Sequence, residues 1–239
     1  MRKCKVSVCM AAYNGEQFIA EQITSICNQL LHFDELIISD DGSTDRTLAI
    51  VKSFNNVQIK VVNNTLDKGY SGNFENAISH AAGEIIFLSD QDDIWVDGKL
   101  EKMVNALSSA ELVVCDAQFV DANLVPTEVT LFNLRGGGQG FLRNLCKSRY
   151  LGACMAFKRS ILKKILPFPH NKTLCPHDYW ISLVCEFYFS VILVNEPLIL
   201  YRRHKKNTST GGMQSGNNLI TKLLVRCYAL TKVTTRLFK

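Results

Sequence analysis

The chain has 239 residues, 47% of them hydrophobic and 21% charged, an ordinary globular composition with length enough for one α/β domain and its buried core. Its 27 Lys and Arg outnumber 22 Asp and Glu for a net charge of +5, yet nine of the cations and none of the acids follow Tyr201. Residues 1–201 are therefore net acidic, which argues against nucleic acid as a partner, and no run of 18 apolar residues offers a membrane span.

The chain opens Met1-Arg2-Lys3-Cys4-Lys5 and has only a short apolar run before Tyr13-Asn14-Gly15, so no export leader is expected. Residues 5–11 read as a strand. Ile19, Ile23, Ile26 and Leu30 then recur at helical spacing. Residues 35–39 form a second strand ending in Asp40-Asp41-Gly42-Ser43, and Ser43 or Thr44 is expected to cap the helix that runs on to about Phe54. Residues 57–62 are a third strand, 74–82 a helix closed by Gly83, and 84–88 a fourth strand. Strands alternating with helices imply a parallel sheet with right-handed crossovers, whose ligands bind at the carboxyl ends of the strands. Those ends carry Tyr13-Asn14, Asp40-Asp41, Asn63-Asn64 and Asp90-Gln91-Asp92-Asp93.

Beyond them come a helix with Leu100, Met103, Val104 and Leu107 on one face, a strand at 112–116, and a loop-like stretch at 121–140 with Pro126 and Gly136-Gly137-Gly138. A long irregular loop in a compact domain is often functional. Residues 151–157 read as a strand, 159–166 as a helix stopped by Pro167, 178–187 as a helix, and 191–193 and 198–202 as two strands. Nine cysteines, an odd number with no C-x-x-C pair, fit reduced thiols in a cytosolic protein better than a zinc site.

Three carboxylates in the four residues 90–93 repel one another near neutral pH, and a bound cation relieves that. Hard oxygen ligands suit magnesium or manganese, which also accept phosphate oxygens. An EF-hand counted from Asp90 would put Ile94 and Trp95 where an oxygen ligand and a glycine are required, which excludes it. Asp40-Asp41 is either turn chemistry or an acceptor for a nucleobase ring N–H.

These motifs, in this order, resemble the family 2 glycosyltransferases with the GT-A fold: the segment from Val6 to Gly15, Ile38-Ser39-Asp40-Asp41-Gly42-Ser43, Asn64 to Gly69 with Asn73, and Phe87-Leu88-Ser89-Asp90-Gln91-Asp92-Asp93-Ile94-Trp95. The likeness continues through Gly152, His177-Asp178-Tyr179-Trp180 and Tyr201-Arg202-Arg203-His204. Q-D-D-I-W with H-D-Y-W looks like enzymes that build bacterial surface polysaccharides. The resemblance implies a Rossmann-like, mostly parallel sheet flanked by helices. Residues 1–116 would form a nucleotide-sugar-binding half, 117–210 an acceptor-binding half, and 211–239 a basic amphipathic tail.

It also implies roles. Ala11, Tyr13 and Asp41 would hold base and ribose, with Gln91 beside them, and Lys68 would contact base or phosphate. Ala11 stands where some relatives have threonine, so only its backbone is available. Asp90 would touch the ribose and the metal, Mn²⁺ or Mg²⁺, whose main ligand would be Asp92. Asp178 matches the catalytic base, although His177 precedes it where many relatives have Glu; a helix N-cap is the plain alternative. Trp95, Gly152, His177, Trp180, Arg202 and His204 are candidate acceptor or phosphate contacts. The implied reaction is inverting transfer from a UDP-hexose or dTDP-rhamnose to a saccharide hydroxyl, probed by a carboxylate base opposite the leaving group. A non-catalytic binder has no need of Asp178, and a nucleotidyltransferase usually has a basic, glycine-rich loop after its first strand, where this chain has Ala11-Ala12-Tyr13-Asn14-Gly15.

From Asn218 onward Leu219, Ile220, Leu223, Leu224, Cys227 and Leu230 fall on a helical stripe among basic residues. Such a helix suits an anionic membrane surface and a lipid-linked acceptor, which places the protein on the inner face of the cell membrane. Packing on its own domain or on the second subunit of a homodimer is the competing expectation.

Overall fold

The computed structural model describes residues 2–204, 207 and 218–238. The expected boundary at residue 210 and the cations Lys205, Lys206 and Lys239 lie outside them. Six strands run one way in a single curled sheet: β1 (Val6–Ala12), β2 (Glu35–Asp40), β3 (Ile59–Asn63), β4 (Ile85–Asp90), β6 (Leu112–Val120) and β9 (Val191–Arg202). Three oppose them: β5 (Ile94–Trp95), β7 (Pro126–Thr130) and β8 (Met155–Lys158). The order is β3-β2-β1-β4-β8-β6-β9-β5, with β7 paired to the far end of β6.

Helices α1 (Ile19–Cys27), α2 (Thr47–Ser53) and α3 (Tyr70–Ser79) cross over between the first four strands. Helix α4 (Lys99–Ala106) follows β5, and short helices α5 (Leu131–Arg135), α6 (Phe141–Cys146) and α7 (Leu162–Ile165) precede α8 (His177–Tyr188) and α9 (Leu219–Thr234). β1, β2 and β4 are buried almost throughout, as parallel strands covered on both faces must be. The α1 stripe Ile19, Ile23 and Ile26 is fully buried against them.

Several local readings change. α2 starts at Thr47 without a hydroxyl cap from Ser43 or Thr44; Asp45 Oδ1 accepts from Thr47 N at 2.9 Å, while Ser43 Oγ accepts from Asn14 N. α3 begins four residues early, after Gly69 at φ +97°. Gly83 does not close it. A Cβ there would lie 2.6 Å from Ser7 N, so this glycine permits close approach to β1. The 121–140 stretch holds β7 and α5; β7 is mostly exposed and lacks an apolar run to betray it. Residues 152–154 form a 3₁₀ turn before β8. The two short strands at 191–202 are one strand, because β6 shifts register opposite Asn195-Glu196-Pro197 and absorbs the interruption.

Candidate active site

The register of the parallel strands sets the rim. Ala12 pairs with Asp40, Asp40 with Asn63, and Ala11 with Asp90, so four strand ends finish level. The loops that leave them are tied together by backbone and amide groups. Gln91 Oε1 accepts from Tyr13 N and its Nε2 donates to Tyr13 O, both at 2.9 Å. A Cβ on Gly15 would sit 2.2 Å from Gln91 Oε1. The amide of Gln91, expected among the nucleotide contacts, is thus committed to clasping the β1 and β4 loops. Tyr13 itself is 54% exposed and presents a free ring above the rim.

Asp41 is buried and its carboxylate is engaged: Oδ1 accepts from Asn64 Nδ2 and Oδ2 from Gly69 N, each at 2.7 Å. Lys68 Nζ donates to Asp41 O at 2.9 Å, which folds the Lys68 loop over the end of β2. Asp40 keeps one buried carboxylate oxygen without a partner, Oδ1, while Oδ2 receives Gly42 N and Ser43 N. Ala12 O accepts from Asp41 N and Asn73 Nδ2, so the β1 end is closed on that side.

The 90–93 turn concentrates negative charge. Burial raises the Asp90 carboxyl to about 7, helped by the anions of Asp92 and Asp178 and opposed by Lys99. Asp93, 1% exposed, is also pushed well above the carboxylate range by burial and by Asp92 and Asp90. Its Oδ1 accepts from Arg202 N at 3.0 Å. Asp92 Oδ2 faces His204 Nε2 at 2.8 Å and Asn207 Nδ2 at 3.2 Å. Among the described residues no group of three or more His, Cys, Asp or Glu is arranged to hold a metal ion by itself. Asp92, beside Asp90, offers the carboxylate oxygens that a hard cation takes, and His204 and Asn207 hold its Oδ2 in place.

The other side of the site is the start of α8. Asp178 is its second residue, half-buried, with Oδ1 accepting from Tyr179 N at 2.7 Å. Pro176 is the N-cap residue and makes no side-chain cap; the Asp178 carboxylate satisfies a first-turn N–H of the helix instead. The Asp178 charge is felt by Asp90, Tyr70 and His177, which places it near the rim.

Five candidate contacts are engaged within the protein. Trp180 is fully buried and its Nε1 donates to Ile165 O at 2.7 Å. Trp95 is 2% exposed, against Phe87 and beneath Lys99. Neither ring offers a face to a sugar. Arg202 is 2% exposed; its guanidinium bonds Glu21, Asp92 O and Ala122 O and covers the Phe18 ring, so it braces the 90–93 turn from inside the protein. Gly152 and His177 are buried against each other. Conversely, Lys99 escapes sequence reading. It is wholly buried, and its Nζ donates to Ala153 O at 2.9 Å and lies 4.5 Å over the Trp95 ring. The only sequence signal was its place beside Leu100 on the inner stripe of α4. Tyr70, 45% exposed beside Asp178, was equally silent.

The family model for glycosyl transferase family 2 matches residues 7–166. The chain belongs to that family. Over 102 residues, 43% of the chain, it is 36% identical to the UDP-Glc:alpha-D-GlcNAc-diphosphoundecaprenol beta-1,3-glucosyltransferase WfgD of Escherichia coli; the match spans 40% of that relative's length. Among solved structures, TarS 1-349 of S. aureus in complex with UDP-GlcNAc superimposes with a TM-score of 0.68 at 17% identity, over 97% of this chain and 73% of that one. The mannosyltransferase PcManGT from Pyrobaculum calidifontis, in complex with GDP-Man and Mn2+, gives 0.64 at 18%, over 99% and 75%. At these identities the structural likeness speaks for the fold, which is GT-A.

Proposed function

We propose that this family 2 protein transfers a sugar, with inversion, from a nucleoside diphosphate to a saccharide hydroxyl in the synthesis of a bacterial surface polysaccharide. The observation that carries the proposal is the meeting of an under-neutralised carboxylate rim with a single half-buried carboxylate, Asp178, on the facing helix. Residues 1–116 hold the donor and 117–210 shape the acceptor side. Tyr13, the backbone of Ala11, Asp41 and Lys68 surround base and ribose. Asp92 and Asp90, with His204 beside them, would hold Mn²⁺ or Mg²⁺, which would supply positive charge to the departing diphosphate. Asp178 takes the proton of the acceptor hydroxyl as it attacks from the face opposite the leaving group. UDP-glucose and dTDP-rhamnose are the first donors to try.

The test is turnover. Purified protein is offered UDP-, dTDP- and GDP-sugars with Mn²⁺ and a lipid-linked saccharide, and release of nucleoside diphosphate is followed. Release with one donor, abolished by chelator, is expected. Release from no donor with any acceptor would reject the transferase.

We further propose that the acceptor is presented at an anionic bilayer on the cytoplasmic side, where nine unpaired thiols are at home. α9 turns Ala229 and Val233 into the core and leaves Ile220, Leu223, Leu224 and Leu230 exposed, with Lys222, Arg226 and Lys232 along its flanks. An apolar stripe turned outward between cations suits a headgroup boundary, whereas a second copy on this face would set like charges together. No described helix is long and apolar enough to cross a membrane. Flotation with phosphatidylglycerol vesicles, and its loss on Leu223→Ser with Leu224→Ser, is the expected result; flotation that the double variant leaves intact would contradict it.

A further inference from the structure

His177 is an odd residue to bury. It is 6% exposed, and neither ring nitrogen has a hydrogen-bond partner. Burial lowers its pKa, so the ring is held neutral despite the neighbouring Asp178. What the ring does have is contact at a face and at an edge. It stacks on Phe74 of α3, centroids 4.4 Å apart, and meets the edge of Tyr70 at 5.6 Å. Gly152 lies at the Nε2 edge of the ring, where an added Cβ would fall 2.5 Å from His177 Nε2. The His177 backbone N–H donates to Ser71 Oγ at 3.2 Å, again on α3.

The Gly152–Cys154 turn that backs the ring is itself anchored. Ala153 O accepts from the buried Lys99 Nζ at 2.9 Å. Lys99 opens α4, six residues beyond the carboxylate turn, and its stem lies against Trp95 of that same segment. A continuous run of contacts therefore leads from the 90–95 segment through Lys99, Ala153, Gly152 and His177 to Asp178. A second leads from α3, which follows the Lys68 loop, through Phe74 to the same ring. Both end one residue short of the carboxylate that faces the rim.

We propose that His177 is a positioning residue: a neutral wedge between Phe74 and Gly152 that sets the reach of Asp178 toward the donor rim, with Gly152 lacking a side chain because any Cβ there would push the wedge outward. The ring acts by its shape, its face on Phe74 and its Nε2 edge against Gly152, and neither nitrogen has a partner among the described residues. The role of the wedge rests on the reading of Asp178 as base; its geometry does not.

Two arms keep these apart. In a crystal structure of Gly152→Ala, strands β1 to β4 superimpose on the wild type while Asp178 Cα moves away from Asp90 by about 1 Å; such misplacement costs on the order of 10²-fold in rate. In turnover, Gly152→Ala accordingly loses about 10²-fold in kcat, while donor KM and nucleoside diphosphate Kd stay within a factor of about three, a split that ordinary loss of binding does not produce. Adding His177→Ala to Gly152→Ala removes the clash and recovers part of kcat, which a merely destabilising glycine substitution would not allow. Phe74→Leu loosens the wedge from its stacked face and gives the same loss confined to kcat if the glycine variant does not fold. An unmoved Asp178, a loss of kcat and nucleotide affinity in step, or a double variant no better than Gly152→Ala would each overturn the proposal. If wild-type protein turns over no donor, the transferase reading fails and the crystallographic arm still decides the wedge.

Discussion

Asp92→Asn is expected to cut donor turnover by at least about 10²-fold, the usual scale for losing one electrostatic contact to a developing oxyanion, and to abolish the effect of added Mn²⁺. The reason lies in the charge balance of the 90–93 turn. Asp90 sits at about 7 and Asp93 well above the carboxylate range because burial and mutual repulsion disfavour their ionised forms. Lys99, a wholly buried cation nearby, is itself pushed down by burial. Asp92 is the carboxylate that reaches outward, to His204 Nε2. Amide in its place keeps the size and a hydrogen bond but removes the charge that attracts the cation. The apo protein should tolerate the change, since it relieves repulsion on two neighbours.

The same balance fixes a pH dependence. A carboxyl held at about 7 in the folded state takes up a proton on folding at any pH between the ordinary carboxylate range and neutrality. Its contribution to apo stability is present in acid and lost as the pH rises through that window. A cation favours the ionised form and releases the proton. Thermal stabilisation by Mn²⁺ should therefore grow from about pH 6 to about pH 8; a flat response would contradict the rim as its site.

Asp178→Asn carries the second large effect, a loss of about 10²- to 10⁴-fold in transfer, the range for a positioned general base. Asn preserves the oxygen that accepts from Tyr179 N, so α8 should start as before. Nucleoside diphosphate binding should stay within a factor of about two, because the group acts on the acceptor, and uniform binding is untouched when only a transition-state interaction is lost. Melting temperature should hold or rise, since the variant removes one of the anions that raise Asp90. Full transfer by Asp178→Asn would move the base elsewhere.

The strand-end carboxylates were legible because parallel strands announce themselves as apolar runs, and polar residues at each end must then share one rim. The places of Asp90 at the end of β4, of Asp92 just beyond it and of Asp178 in the first turn of α8 needed only motif and order. What burial decides was not legible. Arg202 reads as a rim cation, yet its guanidinium is consumed by Glu21, 181 residues away in sequence, and by two carbonyls. Trp180 reads equally as a packing or a sugar-stacking ring, and only the fold shows α8 turning it toward Ile165. Gln91 reads as a ligand contact, and the clasp on Tyr13 depends on two loops closing together. Lys99 is the reverse case: a charge inside the core that no periodicity marks, because its partner is a backbone carbonyl 54 residues on.

The most direct measurement is calorimetric titration of the wild-type protein with UDP, dTDP and GDP, with Mn²⁺ and with chelator. Binding of one nucleotide that strengthens about tenfold or more with Mn²⁺, a coupling of about 1.4 kcal/mol, is the predicted result. Equal affinity with and without the metal, or no binding of any of the three, would contradict the rim as a metal-assisted nucleoside diphosphate site.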